Sequence, residues 1–306
     1  YEEKIMSEHH QHKVSGKNLF ITIVLNIIIT ISQVIGGIFS GSLALLSDAM
    51  HNFTDVVALF IAYFANRLAG RENSESKTFG YKRAEILASL FNASVLICIA
   101  IFLIVEAFHK FYHPEAINSI WVIALGILSI ILNSASVVLV KDDAHDNMNI
   151  KAAYLHLLTD VMTSVAIVVG GVLMYYFEIF WIDPLISVLI ALYLIWASFD
   201  LIKESSAILM QFTPKEIDVQ KVVALIKEED EIEGVHHVHV WRLDDHRIHF
   251  EAHLDFKEDL LLSVSNRVIE VLEQKLHDNF NIEHTILQCE YHRDDNKSII
   301  AKEENE

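Results

Sequence analysis

Cysteine is scarce in this chain: two among 306 residues, Cys98 and Cys289, with no Cys-x-x-Cys pair. That spacing argues against a disulfide framework or a thiolate metal cluster. Positive charge is also short. Twenty-three Lys and Arg face 41 Asp and Glu, for a formal net charge of −18, and most of the acid follows residue 200. Such a balance offers no basic footprint, so no nucleic-acid partner is expected. The His-Glu-x-x-His signature of helical zinc proteases is absent. The first apolar run follows a polar stretch without a small-residue cleavage pattern, so it is expected to be a retained span rather than a signal peptide. No array-type repeat occurs.

What is abundant is apolar residue, 53% of the chain, more than a soluble protein of this length carries. It is concentrated between Leu19 and Met210; from Phe212 onward the sequence is charged and patterned. A helix needs about 20 apolar residues to cross a bilayer. Six segments qualify: Leu19–Phe39, Ser42–Leu68, Ala84–Phe108, Ile117–Val140, Ala152–Phe177 and Ile182–Ile202. Basic residues cluster before the first span, between spans two and three and between four and five, and after six; only Lys110 lies on the other side. The positive-inside rule therefore places both termini in the cytoplasm.

The remainder reads as an αββαβ domain. Helices are expected at Lys215–Glu229 and Leu260–Asn279, and strands at Val235–Leu243, Arg247–Phe256 and Ile282–His292. In the second strand Ile248, Phe250, Ala252, Leu254 and Phe256 share one face. His249, Glu251, His253 and Asp255 share the other. The expected fold class is thus a membrane all-α six-helix domain followed by a small cytoplasmic α+β domain of ferredoxin-like, metallochaperone-like type. The expected boundaries are a polar N-terminus at 1–18, a transmembrane domain at 19–210, a cytoplasmic domain at 211–293 and a disordered tail at 294–306.

One frame occurs twice inside the apolar region: "HNFTDV" at 51–56 and "HLLTDV" at 156–161. Four helical residues advance about 6 Å and turn about 400°, so His51 and Asp55 share a face of span two, and His156 and Asp160 a face of span five. An ionised Asp at a membrane-helix centre costs about 2.5–3.5 kcal/mol, and two cost roughly 5–7 kcal/mol. A lone His/Asp pair reads equally well as an internal hydrogen bond. A duplicated pair reads better as a divalent-cation site, because two carboxylates match the charge and two imidazoles complete a tetrahedral N/O set suited to Zn²⁺. Cd²⁺ and Co²⁺ share such ligands. Asn26, Gln33, Asp48, Asn92 and Asn133 are candidates for interhelical hydrogen bonds. Asp48, three residues before His51, reads either as a support for that ligand or as a helix-start residue near the membrane face, and is left outside the site.

Four protein ligands leave no open position for catalytic water, and a polar stop partway through the bilayer suits an ion in transit. Metal requires neutral imidazole and ionised carboxylate, so protons compete for the same ligands and become the natural counter-substrate. The alternatives are an intramembrane zinc hydrolase and a non-transporting metal sensor or partner-binding protein.

The chain resembles the cation diffusion facilitator family. The resemblance rests on "SDAMHNFTD", "FGYKRAE", "HLLTDV", "DPLIS" and "GVHHVHVWRL…FEAHLDF…HTILQCE", and it runs from about Lys17 to Glu290. It implies a homodimeric metal/proton antiporter of the cell membrane, exporting Zn²⁺ from the cytoplasm through His51, Asp55, His156 and Asp160. It also implies metal held in the cytoplasmic domain. His239, His253 and Glu290 match family ligand positions there; Gln288 falls where some members carry a ligand, and His284 is a substitute. Some members bind metal between spans two and three; here Ser74, Lys77 and Tyr81 stand at those positions, and no equivalent site is expected. The clusters "EHHQH" at 8–12 and "DDAHD" at 142–146 read as ordinary polar segments able to gather cations.

Overall fold

The computed structural model describes residues 16–113, 115–141, 148–245 and 247–300. The clusters at 8–12 and 142–146 lie outside the described residues. Six long helices come first: α1 Gly16–Ser40, α2 Leu43–Ala69, α3 Ala84–Tyr112, α4 Ser119–Lys141, α5 Met148–Phe177 and α6 Ile182–Leu209. All six are long and apolar enough to cross a membrane. The smaller elements are α7 Val219–Ile226, β1 Ile232–Arg242, β2 Ile248–Phe256, α8 Leu262–Phe280 and β3 Ile282–Glu290. Both the helix count and the αββαβ order follow the sequence pattern. Packing divides the chain into two units, one running up to Phe60 and including Asn92–Phe199, the other comprising Ile61–Phe91 and the chain from Asp200 onward.

In the first unit, lipid-like apolarity gives no drive for one helix to choose another, so small and polar residues set the contacts. A Cβ at Gly126 on α4 would lie 2.6 Å from a methyl of Val168 on α5, and one at Gly171 on α5 would lie 2.8 Å from Ile123 on α4. Glycine at both positions lets the two backbones approach. Polar side chains supply the rest. Asp183, at the start of α6, accepts hydrogen bonds from the backbone N–H of Leu43 (2.6 Å) and of Ala44 (3.4 Å), and from the Ser42 hydroxyl. It thereby caps the first turn of α2, whose N–H groups have no intrahelical partner and sit at the positive end of the helix dipole. One turn further in, the Ser47 and Ser187 hydroxyls lie 2.6 Å apart. The "DPLIS" stretch thus fixes the start of α2.

The second unit holds a three-stranded sheet in the order β1-β2-β3, with β1 and β2 antiparallel and β2 and β3 parallel. The apolar face of β2 packs with α7 and α8 into a core that includes Phe250, Leu254, Ile226, Leu272 and Leu276. α7 is shorter than expected from the sequence. Asp218 caps it by accepting from the Gln220 N–H at 3.0 Å, which sets its first helical residue at Val219. Asn281 ends α8 in the left-handed conformation at φ 54°, its N–H bonded to His277 O, as asparagine at such a position commonly does.

Two departures from the sequence pattern shape this unit. β1 carries a bulge: His236 pairs with His253 and His239 with Glu251, so His237 and Val238 together stand opposite Ala252. The extra residue is absorbed at His237, φ 51°, and it reverses face parity along the strand. The second departure concerns the segment after β3. The polar composition from residue 294 onward predicts a disordered tail, yet Asp294–Ile300 lies against β1. His237 N–H donates to Ser298 O (3.2 Å) and Val238 N–H to Ile299 O (2.7 Å), at the bulge. Ile299 also packs against the core. Backbone pairing and one apolar anchor thus hold a segment whose composition is polar.

Asp183→Ala is expected to lower the stability of the detergent-solubilised protein by about 1–3 kcal/mol, the cost of buried N–H groups left without acceptors. Asp183→Asn, which keeps an acceptor, is expected to lose less. Thermal unfolding followed by circular dichroism checks both.

Candidate metal centre

α2 presents His51 and Asp55 on one face, and α5 presents His156 and Asp160 opposite. The side chains converge: His51, His156 and Asp160 each offer a ligand atom within 4.8 Å of the others, and Asp55 reaches both imidazoles but stands outside that set. His51 Nε2 lies 3.6 Å from Asp55 Oδ2 and 3.5 Å from Asp160 Oδ1. His156 Nε2 lies 3.0 Å from Asp55 Oδ2 and 3.9 Å from Asp160 Oδ2. Each carboxylate is therefore shared between both imidazoles. A tetrahedral ion with bonds of about 2.0 Å has ligand–ligand edges of roughly 3.3 Å, and the four distances bracket that value. The donor set is two neutral nitrogens and two anionic oxygens, suited to a dication.

Burial is graded across the site. Asp160 is 1% exposed, whereas the His156 side chain is 40% exposed. Both Asp160 oxygens and His51 Nδ1 are buried without a hydrogen-bond partner. An unsatisfied carboxylate at that depth is costly, and a cation between the four groups would remove the cost.

Asp48, in the second turn of α2 and left outside the site from sequence, lies beside this centre. It is 1% exposed. Its Oδ2 accepts from Gln33 Nε2 of α1 at 2.5 Å, and its Oδ1 accepts from Thr163 Oγ1 of α5 at 3.1 Å. Asn52 Nδ2 donates in turn to Gln33 Oε1 at 3.2 Å. Thr163 Oγ1 is also 2.9 Å from the Asp160 carbonyl. This network ties α1, α2 and α5 together one turn from His51. The clue in the sequence is the three-residue interval from Asp48 to His51, which places both on one helical face.

A second cluster lies in the sheet unit. His236, His253, Glu290 and Asp295 each offer a ligand atom, all within 4.8 Å of one another. His253 Nδ1 is 3.0 Å from Glu290 Oε1, and His236 Nε2 is 3.3 Å from Glu290 Oε2 and 3.4 Å from Asp295 Oδ2. Of the residues expected from sequence, His253 and Glu290 are here. His239 is not: it is exposed, beyond the bulge, opposite Glu251. His284 is not either; it pairs with His249 toward the other end of the strand, ring centroids 4.8 Å apart. Gln288 donates to Glu290 Oε1 at 2.7 Å and orients it. Strict strand parity hides His236, and polar surroundings hide Asp295.

Two groups at this cluster are shifted from their usual values. Burial lowers the His253 imidazole. Desolvation pulls the Lys297 ammonium down, but hydrogen bonds to Asp255 and Asp295 outweigh it and hold the group above the ordinary lysine range. In the segment after α2, Lys77 Nζ donates to Tyr81 Oη at 2.5 Å, and Ser74 and Lys77 pair through their backbones.

Two family profiles match the chain. Residues 19–210 match the cation efflux transmembrane domain, and residues 214–292 match the cation efflux protein cytoplasmic domain. Among similar proteins is a cadmium, cobalt and zinc/H(+)-K(+) antiporter of Bacillus velezensis, 33% identical over 98% of this chain and 97% of the relative. A zinc transporter ZitB of Pectobacterium atrosepticum is 33% identical, covering 98% and 94% of the two chains. The metal cation efflux system protein CzcD of Cupriavidus metallidurans is also 33% identical, over 93% and 90%.

Asp48→Asn is expected to weaken Zn²⁺ binding at the α2/α5 site by about 10–100-fold, the range for a group that orients a metal ligand. Calorimetric titration of the solubilised protein, with Glu290→Ala introduced to silence the second cluster, checks this. Unchanged affinity would remove Asp48 from the centre.

Proposed function

The chain belongs to the cation efflux family, also known as the cation diffusion facilitators, and on that premise we propose that it exports Zn²⁺ in exchange for protons through His51, Asp55, His156 and Asp160. The single observation carrying this reading is the sharing of two carboxylates between two imidazoles at 3.0–3.9 Å inside helices fit to span a bilayer. Family membership makes the chain a multi-pass transporter rather than an enzyme. The site agrees, since four protein donors leave no position open for a hydrolytic water.

The chemistry follows from the ligands. Zn²⁺ enters only when the imidazoles are neutral and the carboxylates ionised, and protons reclaim the same atoms when it leaves. Exporting a dication from a negative interior costs about 4.6 kcal/mol per 100 mV, from roughly 2.3 per charge. One entering proton returns half of that, and each unit of pH gradient adds about 1.4 kcal/mol per proton. Exchange at one site thus couples the two flows without a separate proton path. The half-exposed His156 is the natural first contact for the ion, and the buried Asp160 the deepest.

We further propose a homodimer in the cytoplasmic membrane with both termini inside. The basic residues on the loop side and the match to a domain found in cytoplasmic parts of efflux proteins support it. Cd²⁺ and Co²⁺ fall within reach of the same borderline ligands, and the name of the Bacillus relative lists them.

Inverted vesicles with an acidic lumen are expected to take up Zn²⁺ and, more weakly, Cd²⁺ and Co²⁺, with the lumen turning alkaline as metal enters. Asp55→Ala and Asp160→Ala are each expected to abolish uptake, at least a hundredfold. Metal entry without luminal proton loss would overturn the exchange.

A further inference from the structure

The geometry points to a divalent-cation site at the C-terminal end of α3, formed by His109 and His113 with Glu106 one turn further in, on the face where an exported ion emerges. That direction rests on the proposed export and orientation; the binding itself does not require transport.

Three features carry it. The first is the histidine pair. His109 and His113 stand four residues apart, so they share a face of the helix. His113 N–H donates to the His109 carbonyl at 3.0 Å, which carries the helical bonding one residue past Tyr112. The ring centroids lie 5.0 Å apart, tilted by 45°. Both residues are exposed, and among the described residues neither imidazole has a hydrogen-bond or ion-pair partner. Two unengaged imidazoles on one helical turn offer a ready pair of nitrogen ligands to Zn²⁺.

The second is the charge around that pair. At 3.6 residues per turn, Glu106, His113 and His109 fall within about 60° of one another around the helix. The half-buried Glu106 thus adds a carboxylate to the same stripe. Lys110 is the sole Lys or Arg of α3, and its ammonium is engaged elsewhere. Its Nζ donates to the Gly41 carbonyl at 2.6 Å and lies 3.9 Å from Glu115 Oε2. No lysine of this helix therefore competes with an ion for the stripe.

The third is position. Lys110 ties the end of α3 to the α1–α2 turn, and Asn118 N–H, just before α4, donates to Ser40 O at 2.9 Å. The α1–α2 and α3–α4 turns therefore lie at one end of the bundle. The basic residues cluster in the other loops, so in the proposed orientation this end faces away from the cytoplasm. An ion leaving the α2/α5 centre emerges here and meets donors of the same chemical kind, but fewer and open to water. Such a site binds more weakly than four enclosed ligands, so it receives the ion without retaining it.

The test uses the full chain in detergent, with Asp160→Ala and Glu290→Ala disabling the two clusters already described. Acylation by diethyl pyrocarbonate, read by peptide mass mapping, follows His109 and His113 separately. At about ten times its midpoint concentration, Zn²⁺ is expected to slow acylation of both by about tenfold, by mass action. His113→Ala is expected to return His109 to about its metal-free rate at that Zn²⁺ concentration, because the lone imidazole loses a partner held at roughly millimolar effective concentration. Glu106→Gln is expected to raise the midpoint about threefold. Imidazoles acylated equally fast with and without Zn²⁺, or His109 still protected in His113→Ala, would overturn the site. An unchanged midpoint in Glu106→Gln would strike the carboxylate from it. The background is already blocked for transport, so failed flux by the unmodified protein would sink the export reading and leave this site standing; unprotected histidines would do the reverse.

Discussion

Two carboxylates bridging two imidazoles in a low-dielectric interior are the constraint around which the membrane unit is built. Neither Asp55 nor Asp160 has a private partner; each faces both histidines. Such an arrangement is poor as a permanent structure, since it leaves Asp160 oxygens unsatisfied. It is good as a receptacle, since a dication satisfies all four groups together. The surrounding polar residues make sense in that light. Gln33 and Thr163 hold Asp48, with Asn52 steadying Gln33, and Asp48 in turn fixes the turn of α2 that carries His51. Support of this kind keeps the ligands near a working geometry while the site is empty.

The sheet unit solves a related problem by different means. A histidine-rich strand could present its side chains to water or to the core, and a single inserted residue decides which. With the bulge at His237, His236 and His239 face the same side although the interval between them is odd. The segment Asp294–Ile300 then closes over His236 with its own lysine and acids. Charge, not hydrophobic burial, supplies most of that contact, with Ile299 as the apolar anchor.

Much of this is legible in the amino-acid order. The six apolar runs, the period-two pattern of β2 and the paired His-x-x-x-Asp frames all follow from periodicities fixed by helix and strand geometry. The four membrane His and Asp residues are legible because both members of each pair lie on one helix. The cytoplasmic cluster is only half legible, because its members come from three strands and a tail. There a bulge of one residue puts His236 on the same face as His239, which itself lies further along the strand opposite Glu251, and tail composition gives no hint of Asp295. Asp48 is ambiguous for another reason: a carboxylate near a helix start fits either support for a neighbouring residue or a place at the membrane face, and only the contacts to Gln33 and Thr163 show what it touches.

The cap that Asp183 lends to α2 bears on how the transporter moves. The first turn of α2 is held by a side chain of α6, and Ser47 and Ser187 pair one turn deeper. Any swing of α2 that tilts its metal-bearing face toward the opposite leaflet must either drag the opening turns of α6 along or strip two backbone amides of their acceptor. Dragging is the cheaper course, so a movement of α2 is expected to carry the start of α6 with it.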